Sequence, residues 1–362
     1  VAGATGLHAI AAAEVAIGIG QRQVGTRRRP GCADGDHAQR YAARTGGANN
    51  RLQRGRHRRG FGEVDRLDLA AFGARLGGHE GVAEHRLGVL EGLLLRGGEL
   101  HAALEAVGEG VSDKRIGERV WIWNAQWQRP HGTASEAIVV PEAQAVKLPD
   151  NTDFAAGACM GIPGLTAVQA VHLAGDENLR GKKVLVTGAS SAVGHYVTQM
   201  VTQFGGQVIG TVGSEEKAAH AKSAGAVETI FYKTEPVLER LKAFSNGRGV
   251  DVIIDMDFAT ASQWVTTGGL APHGQLVGYG SNVVGDVPLT FRPLLFNSIG
   301  FKFFLVYDLL PADRTWCVNR LNELLAKGQL QHTIGARFTL DEIVKAHEAV
   351  EAGQLGNVVI DL

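Results

Sequence analysis

Lysine is absent from this 362-residue chain up to Asp113, although 15 arginines fall in that stretch. The same stretch holds one proline, Pro30, one tyrosine, Tyr41, and no tryptophan. Lysines begin at Lys114 and tryptophans at Trp121 and Trp123, so composition divides the chain into two unlike parts near residue 110. Cysteine is scarce too. Cys32, Cys159 and Cys317 stand far apart and form no paired disulfide framework, which favours a reducing, cytoplasmic setting. No apolar run reaches the ~18 residues of a membrane span, and Val1–Gly20 lacks the basic start of a signal peptide. The net charge of −1 removes the electrostatic case for whole-molecule binding to polyanions or anionic membranes. A chain of this length exceeds what one core usually serves, and two domains are expected.

Arginine is densest from Gln21 to Gly60, where 11 arginines face only Asp34 and Asp36. Arg51-Leu-Gln-Arg-Gly-Arg-His-Arg-Arg59 has no apolar residues at strand or helix spacing. Three readings fit. The stretch is a basic arm for nucleic acid, a solvated and poorly ordered segment, or a wrong-frame translation of GC-rich DNA. The last two together outweigh the first, so the balance is against a nucleic-acid partner.

From about Leu104 the pattern is that of a folded protein. Glu105–Trp123 and Thr133–Val146 hold short apolar stretches broken by turn residues, which predicts small antiparallel strands. After Pro149, strands alternate with helices. Lys183–Thr187, Val208–Val212, Val252–Asp255, Leu276–Tyr279 and Phe301–Val306 read as strands, and His195–Phe204 and Glu215–Ala224 as helices. That alternation implies βαβ units and a parallel sheet, an α/β fold.

The most informative stretch is Val184-Leu-Val-Thr-Gly-Ala-Ser-Ser-Ala-Val-Gly194, which follows a buried-looking strand and opens a helix. Against the pattern G-x-G-x-x-G its three key positions are Ala189, Ser191 and Gly194. Small residues there let the backbone approach a pyrophosphate, whose charge is met by free N–H groups at a helix N-terminus. Glycine-rich turns of this kind also arise for packing alone; the strand–helix context favours the dinucleotide. The next strand discriminates between cofactors. An NAD site places a carboxylate about 20 residues on, for the ribose 2′-hydroxyl. Val208-Ile-Gly-Thr-Val-Gly-Ser214 ends without one, Ser214 can donate to a phosphate, and Lys217 lies close by. Lys217 alone would read as one more surface lysine. With the missing acid it favours NADP(H).

These motifs resemble the zinc-free quinone oxidoreductases, the zeta-crystallin-like branch of the medium-chain dehydrogenase/reductase superfamily. The resemblance runs from about Glu105 to Leu362. It rests on Ala106-Val-Gly-Glu-Gly-Val111, Ile116-Gly-Glu-Arg-Val-Trp121, Gly161-Ile-Pro-Gly-Leu-Thr-Ala167, the Gly188–Gly194 loop, Gly210-Thr-Val-Gly-Ser214, Gly278-Tyr-Gly-Ser281 and the tail Phe338–Leu362. It implies a Rossmann doubly wound parallel sheet over 151–309 and a GroES-like, β-rich catalytic domain from 105–150 and 310–362. Residues 1–104 stand as an atypical Arg/Gly/Ala-rich segment, in which the family's asparagine–tyrosine substrate segment is not found.

By the same resemblance, Ser190, Ser191, Ala192, Val193 and Gly194 cradle the pyrophosphate, and Gly213, Ser214, Lys217 and Tyr232 surround the adenosine 2′-phosphate. Thr166 sits near the nicotinamide ribose; Gly280, Ser281, Phe303 and Phe304 lie toward the nicotinamide; Asn357 stands where the family often has lysine. The implied reaction is hydride transfer from NADPH to a small-molecule quinone, with enone or acryloyl-type reduction as the alternative. A non-catalytic NADPH-binding protein that contacts RNA through the arginine-rich arm is the reading from another class. No general acid or metal is named. Gly78-His-Glu80 echoes a zinc-ligand segment of related alcohol dehydrogenases, but it lies too far from Ala106 and has no cysteine partner. His195, Tyr196 and Cys159 read as packing residues. The apolar Phe301–Val306 run reads as a core strand, and the resemblance implies that the same strand pairs across a two-fold homodimer.

Overall fold

The structure is a computed structural model that describes residues 92–98, 101–129, 132–135 and 137–361. The Gln21–Gly60 arginine cluster, Cys32 and His79 lie outside the described residues. Backbone strand β1 (Gly92–Gly98) pairs antiparallel with β2 (His101–Val107) on one side and with β4 (Ala137–Pro141) on the other. A second antiparallel pair joins β3 (Val120–Ile122) to β5 (Ala145–Lys147). Leu104, Val111, Val120, Val140 and Ala145 close a small core of their own. The strands expected in Glu105–Trp123 and Thr133–Val146 are therefore present, and pairing begins earlier, at Gly92.

Helix α1 (Phe154–Ala158) is capped by Asp153, whose carboxylate accepts from the Ala156 amide at 2.7 Å. A π-helical turn, Met160–Gly164, leads into α2 (Leu165–Ala174). The chain then runs β6 (Lys183–Val186), α3 (Ala192–Gln203), β7 (Gln207–Val212), α4 (Glu215–Ser223), β8 (Glu228–Phe231), α5 (Val237–Phe244), β9 (Val250–Asp255), α6 (Phe258–Thr266) and β10 (Leu270–Gly278). It continues through α7 (Phe291–Phe296), β11 (Gly300–Phe303) and α8 (Pro311–Ala326), and closes with β12 (Ile334–Thr339), α9 (Ile343–Glu351) and β13 (Asn357–Asp361).

Strands β6 to β11 form one parallel sheet in the order β8-β7-β6-β9-β10-β11. Counted along the chain this is 3-2-1-4-5-6, the doubly wound Rossmann order, with its reversal between β6 and β9. Side chains alternate across the sheet, as a period of two requires. Val184, Val186, Val208, Val252, Ile254 and Val277 face the layer built by α2, α3 and α8. Leu185, Ile209, Ile253 and Leu276 face the opposite layer, with Val237 and Leu241 of α5 and Ala261 and Val265 of α6. Both faces are covered, which is why these strands read as unbroken apolar runs.

Two details differ from the sequence reading. Phe301–Val306 is not one strand: β11 stops at Phe303, and a separate turn forms at Val306–Asp308. The Phe304 amide makes a last bond to the Gly278 carbonyl at 3.3 Å, and β10 ends there, leaving nothing to pair with. Strand β8 was not anticipated. It is a short edge strand with polar Glu228 and Thr229 at its start, so its hydrophobic signal is weak.

Trp121 docks the β-rich part on the sheet layer. It is 2% exposed, and its indole nitrogen donates to Asn322 of α8 at 2.9 Å. The free carbonyls at the C-terminus of α2 are met from the sheet: Gln275 donates to Ala174 and Lys302 to Leu173, both at 2.7 Å. Among the described residues, no helix is long and apolar enough to cross a membrane.

Leu185→Ala empties a fully buried position at the centre of the sheet. It is expected to cost about 2–5 kcal/mol, read as a lowered urea midpoint with unchanged slope.

Candidate functional site

Ligands of open α/β sheets bind outside the carboxyl ends of the strands where the order reverses, here above β6 and β9. The connection from β6 to α3 is held by both neighbouring strands. The Gly188 amide donates to the Thr211 hydroxyl at 2.9 Å, and the Ala189 amide donates to the Thr211 carbonyl at 3.2 Å. Ser191 is the N-cap of α3: its hydroxyl accepts from the Gly194 amide at 3.0 Å. The amides of Ala192 and Val193, the next two donors of this helix end, make no hydrogen bond among the described residues.

Space explains two glycines. A Cβ on Gly194 would lie 2.2 Å from the Gly188 carbonyl oxygen, so only glycine lets the first turn of α3 press onto the loop. Gly188 itself has φ +62°, and a Cβ there would lie 2.3 Å from the Met256 sulfur. The result is a close backbone turn with free N–H groups at the positive end of a helix dipole, which fits a diphosphate.

Beyond β7 a second cluster forms. Ser214 caps α4 by accepting from the Lys217 amide at 3.3 Å, and its hydroxyl hydrogen remains available. Tyr232 is 49% exposed with its ring against Gly213, where a Cβ would lie 3.6 Å from the ring and its hydroxyl. The Lys217 ammonium lies beside the turn at Gly353, 3.4 Å from where a Cβ would stand, and makes no ion pair among the described residues. Glu215 and Glu216 are exposed on the first turn of α4. Lys233, which the sequence reading passed over, adds a cation 5.9 Å from the Tyr232 ring centroid.

The other expected residues sit on three further elements. Thr166 opens α2, 3% exposed, and its hydroxyl has no partner. The Gly280 carbonyl accepts from the Phe258 amide at 3.1 Å, and Ser281 is exposed, with its hydroxyl accepting from Val283 at 3.3 Å. Phe303 and Phe304 part company. Phe304 turns inward toward Tyr279, 6.2 Å between centroids, whereas Phe303 packs edge-on against Phe258 at 4.8 Å and is 57% exposed. The backbone and side-chain amides of Asn357 both donate to the Thr333 carbonyl, at 2.8 and 3.2 Å.

The floor of the crevice holds a pair that the sequence reading missed. Asp255, the last residue of β9, is fully buried. Its Oδ1 accepts from the Thr187 hydroxyl at 2.7 Å and from the Asp257 amide at 3.1 Å, while Oδ2 has no partner. Thr187 in turn accepts from the Met256 amide at 2.8 Å. Burial pushes the Asp255 carboxyl up to about 7 against the pull of these bonds. The hydroxyl of Tyr279 is buried without a partner, and burial beside Asp255 pushes it well above the ordinary tyrosine value. Cys159 is buried, and loss of solvent raises its thiol to about 12, so it is not a nucleophile.

The family model described as zinc-binding dehydrogenase matches residues 192–323, from the first turn of α3 to α8. A quinone oxidoreductase of Pseudomonas aeruginosa is 32% identical over 267 residues, which cover 71% of this chain and 78% of that protein. The chain belongs to the quinone oxidoreductase branch of the medium-chain dehydrogenase/reductase superfamily. This oxidoreductase is also 28% identical to a 2-haloacrylate reductase of Burkholderia sp., covering 78% of this chain and 85% of the relative. The solved Escherichia coli quinone oxidoreductase, complexed with NADPH, has a TM-score of 0.64 over 75% of this chain and 92% of that one. At 20% identity that match is one of fold.

Two outcomes test the site. Gly194→Ala is expected to weaken pyridine-nucleotide binding on the order of tenfold or more, about 1.4 kcal/mol or above, by calorimetric titration. For Asp255, the folded-state value lies above the ordinary 3.8, so its contribution to stability is full below that value and is lost as pH rises toward about 7. Asp255→Asn removes the loss. The stability of the variant relative to the parent should therefore improve between those two pH values, in denaturant titrations at each end; a constant difference would count against the buried carboxyl.

Proposed function

We propose that this chain is an NADPH-dependent oxidoreductase that passes hydride to a quinone or similar electrophile without zinc. The observation that carries the reading is the tip of β7, where Ser214 follows the strand and no carboxylate stands at the place an NAD site would use, with Lys217 unpaired on the first turn of the next helix. In this reading Ser190, Ser191, Ala192, Val193 and Gly194 hold the diphosphate, and Gly213, Ser214, Lys217 and Tyr232 receive the 2′-phosphate. Thr166, Gly280, Ser281, Phe303 and Phe304 stand on the nicotinamide side, with Asn357 on the closing strand. When bound, the cofactor supplies hydride from its nicotinamide ring. The protein's own residues orient it, exclude water and provide the electrostatics. Residues 151–309 act as the nucleotide-binding domain, and 105–150 with 310–362 as the catalytic domain. Among the described residues no group of three or more His, Cys, Asp or Glu is placed to hold a metal ion.

The enone reading has support of its own in the similarity to the 2-haloacrylate reductase. Both reactions deliver hydride to an electron-poor conjugated acceptor and differ in the pocket. The homodimer belongs to the same proposal. Strand β11 is an edge strand, and Phe303 on it, with Phe291, Leu295 and Phe296 nearby in sequence, is more than half exposed.

Turnover of NADPH with phenanthrenequinone, set beside 2-chloroacrylate, separates the two substrate classes. Nucleotide binding without turnover of either would defeat the enzymatic reading. Lys217→Ala is expected to raise the Kd for NADPH on the order of tenfold and to leave that for NADH nearly unchanged. Equal loss for both nucleotides would remove Lys217 from the phosphate site.

A further inference from the structure

Imidazoles from three separate elements gather at His195 and Tyr196 of α3, just past the phosphate loop. His195 follows Gly194 on α3, is 4% exposed, and has no hydrogen-bond partner for either ring nitrogen. Its ring stacks on His220 of α4 with centroids 3.9 Å apart and planes 3° from parallel. Rings stacked in this way direct their nitrogen lone pairs along separate planes, so the pair does not chelate one ion between them. His332 belongs to a strap, Gln329–Thr333, that links α8 to β12 and lies along α3. The Tyr196 hydroxyl and His332 Nδ1 are 2.9 Å apart. Gln199 donates to the Gln331 carbonyl at 3.0 Å and accepts from the Gln331 amide at 2.8 Å, and Gln203 donates to the Gln329 carbonyl at 2.5 Å.

The charged and titratable surroundings are few. His195 is influenced by His220 and His332 and by no carboxylate. Glu216 faces His220 from its own helix, and Asp153 acts on His332 and, with Cys159, on Tyr196. Burial is the main cause in every case. It depresses all three imidazoles, His195 to about 4 with help from its two neighbours, and it raises the Tyr196 hydroxyl. At neutral pH the rings are therefore uncharged, and His332 Nδ1 can accept the tyrosine proton.

We propose that His195, His220 and His332 form an acid-sensitive latch that holds the Gln329–Thr333 strap on helix α3 at neutral pH and releases it on acidification. A proton on His332 leaves Nδ1 able only to donate, so the Tyr196 hydroxyl can no longer donate to it, and it adds a charge to a half-buried ring. A proton on His195 places a charge against a second imidazole in a buried space with no counter-ion in contact. Release gives the His195 and His332 rings to water, where they bind protons near 6.5. The closed state is thus fully favoured above that value and loses ground as pH falls toward about 4. Because α3 begins at Ser191–Gly194, release also loosens the nucleotide loop; this second effect rests on the function proposed above.

Amide hydrogen exchange on the full chain, corrected for intrinsic rates, reads the latch without any nucleotide. Between about pH 7.5 and about pH 5 exchange at Gln329–Thr333 is expected to rise on the order of tenfold beyond correction. His332→Gln keeps an acceptor for Tyr196 that does not titrate, and His220→Leu removes the stacked ring; each should move the midpoint to lower pH. The triple variant with His195→Leu added should show no rise. A flat parent profile, or midpoints unmoved in the single variants, would overturn the latch, and the single variants suffice if the triple does not fold. NADPH affinity over the same range should fall together with strap protection. No binding at any pH would remove the nucleotide reading and leave the exchange result standing.

Discussion

The contact between Gly194 and the Gly188 carbonyl is the constraint on which the site depends. A helix that starts so close to the strand feeding it can direct its first amides over the crevice, and a single added carbon closes that approach. The surrounding bonds serve this geometry. Thr211 fixes the loop from β7, Ser191 satisfies one donor of the helix end, and two donors are left facing outward. The partial charge at the end of α3 then acts on whatever anion the crevice admits.

Below that turn, the strands on either side of the sheet's reversal are tied by side chains rather than by ladder bonds alone. Thr187 directly follows β6 and Asp255 ends β9, and the hydroxyl between them both donates to the carboxyl and accepts from Met256. A buried acid is a costly brace unless it stays neutral or is fully bonded. Asp255 has one oxygen bonded and one bare, so its protonation and the shape of the crevice floor are linked. This linkage depends on side chains at the floor of the crevice and not on the main-chain turn above them.

Much of this was legible in the sequence. The alternation of strands with helices gave the parallel sheet, since strands covered on both faces carry unbroken apolar runs. The small residues of Thr187–Gly194 marked the turn, and the carboxylate missing after Val212 marked the second cluster. What stayed hidden depends on distance along the chain or on direction. Thr187 and Asp255 are 68 residues apart, and only the strand order brings them together. His195, His220 and His332 come from three elements, and none has neighbours in sequence that hint at the others. Phe303 and Phe304 looked equivalent, yet β11 stops at Phe303, and Phe304, just past the strand, turns inward toward Tyr279.

Two of the donors offered to an anion belong to Ala192 and Val193, and they are main-chain groups. A grip of that kind is carried by the path of the chain and not by the chemistry of any side group, so point changes at those positions leave it in place as long as the path is kept. This accounts for a serine standing at the middle position of the fingerprint, where most such turns have glycine. A substitution in the loop that adds no bulk keeps that path, and with it the same pair of amides.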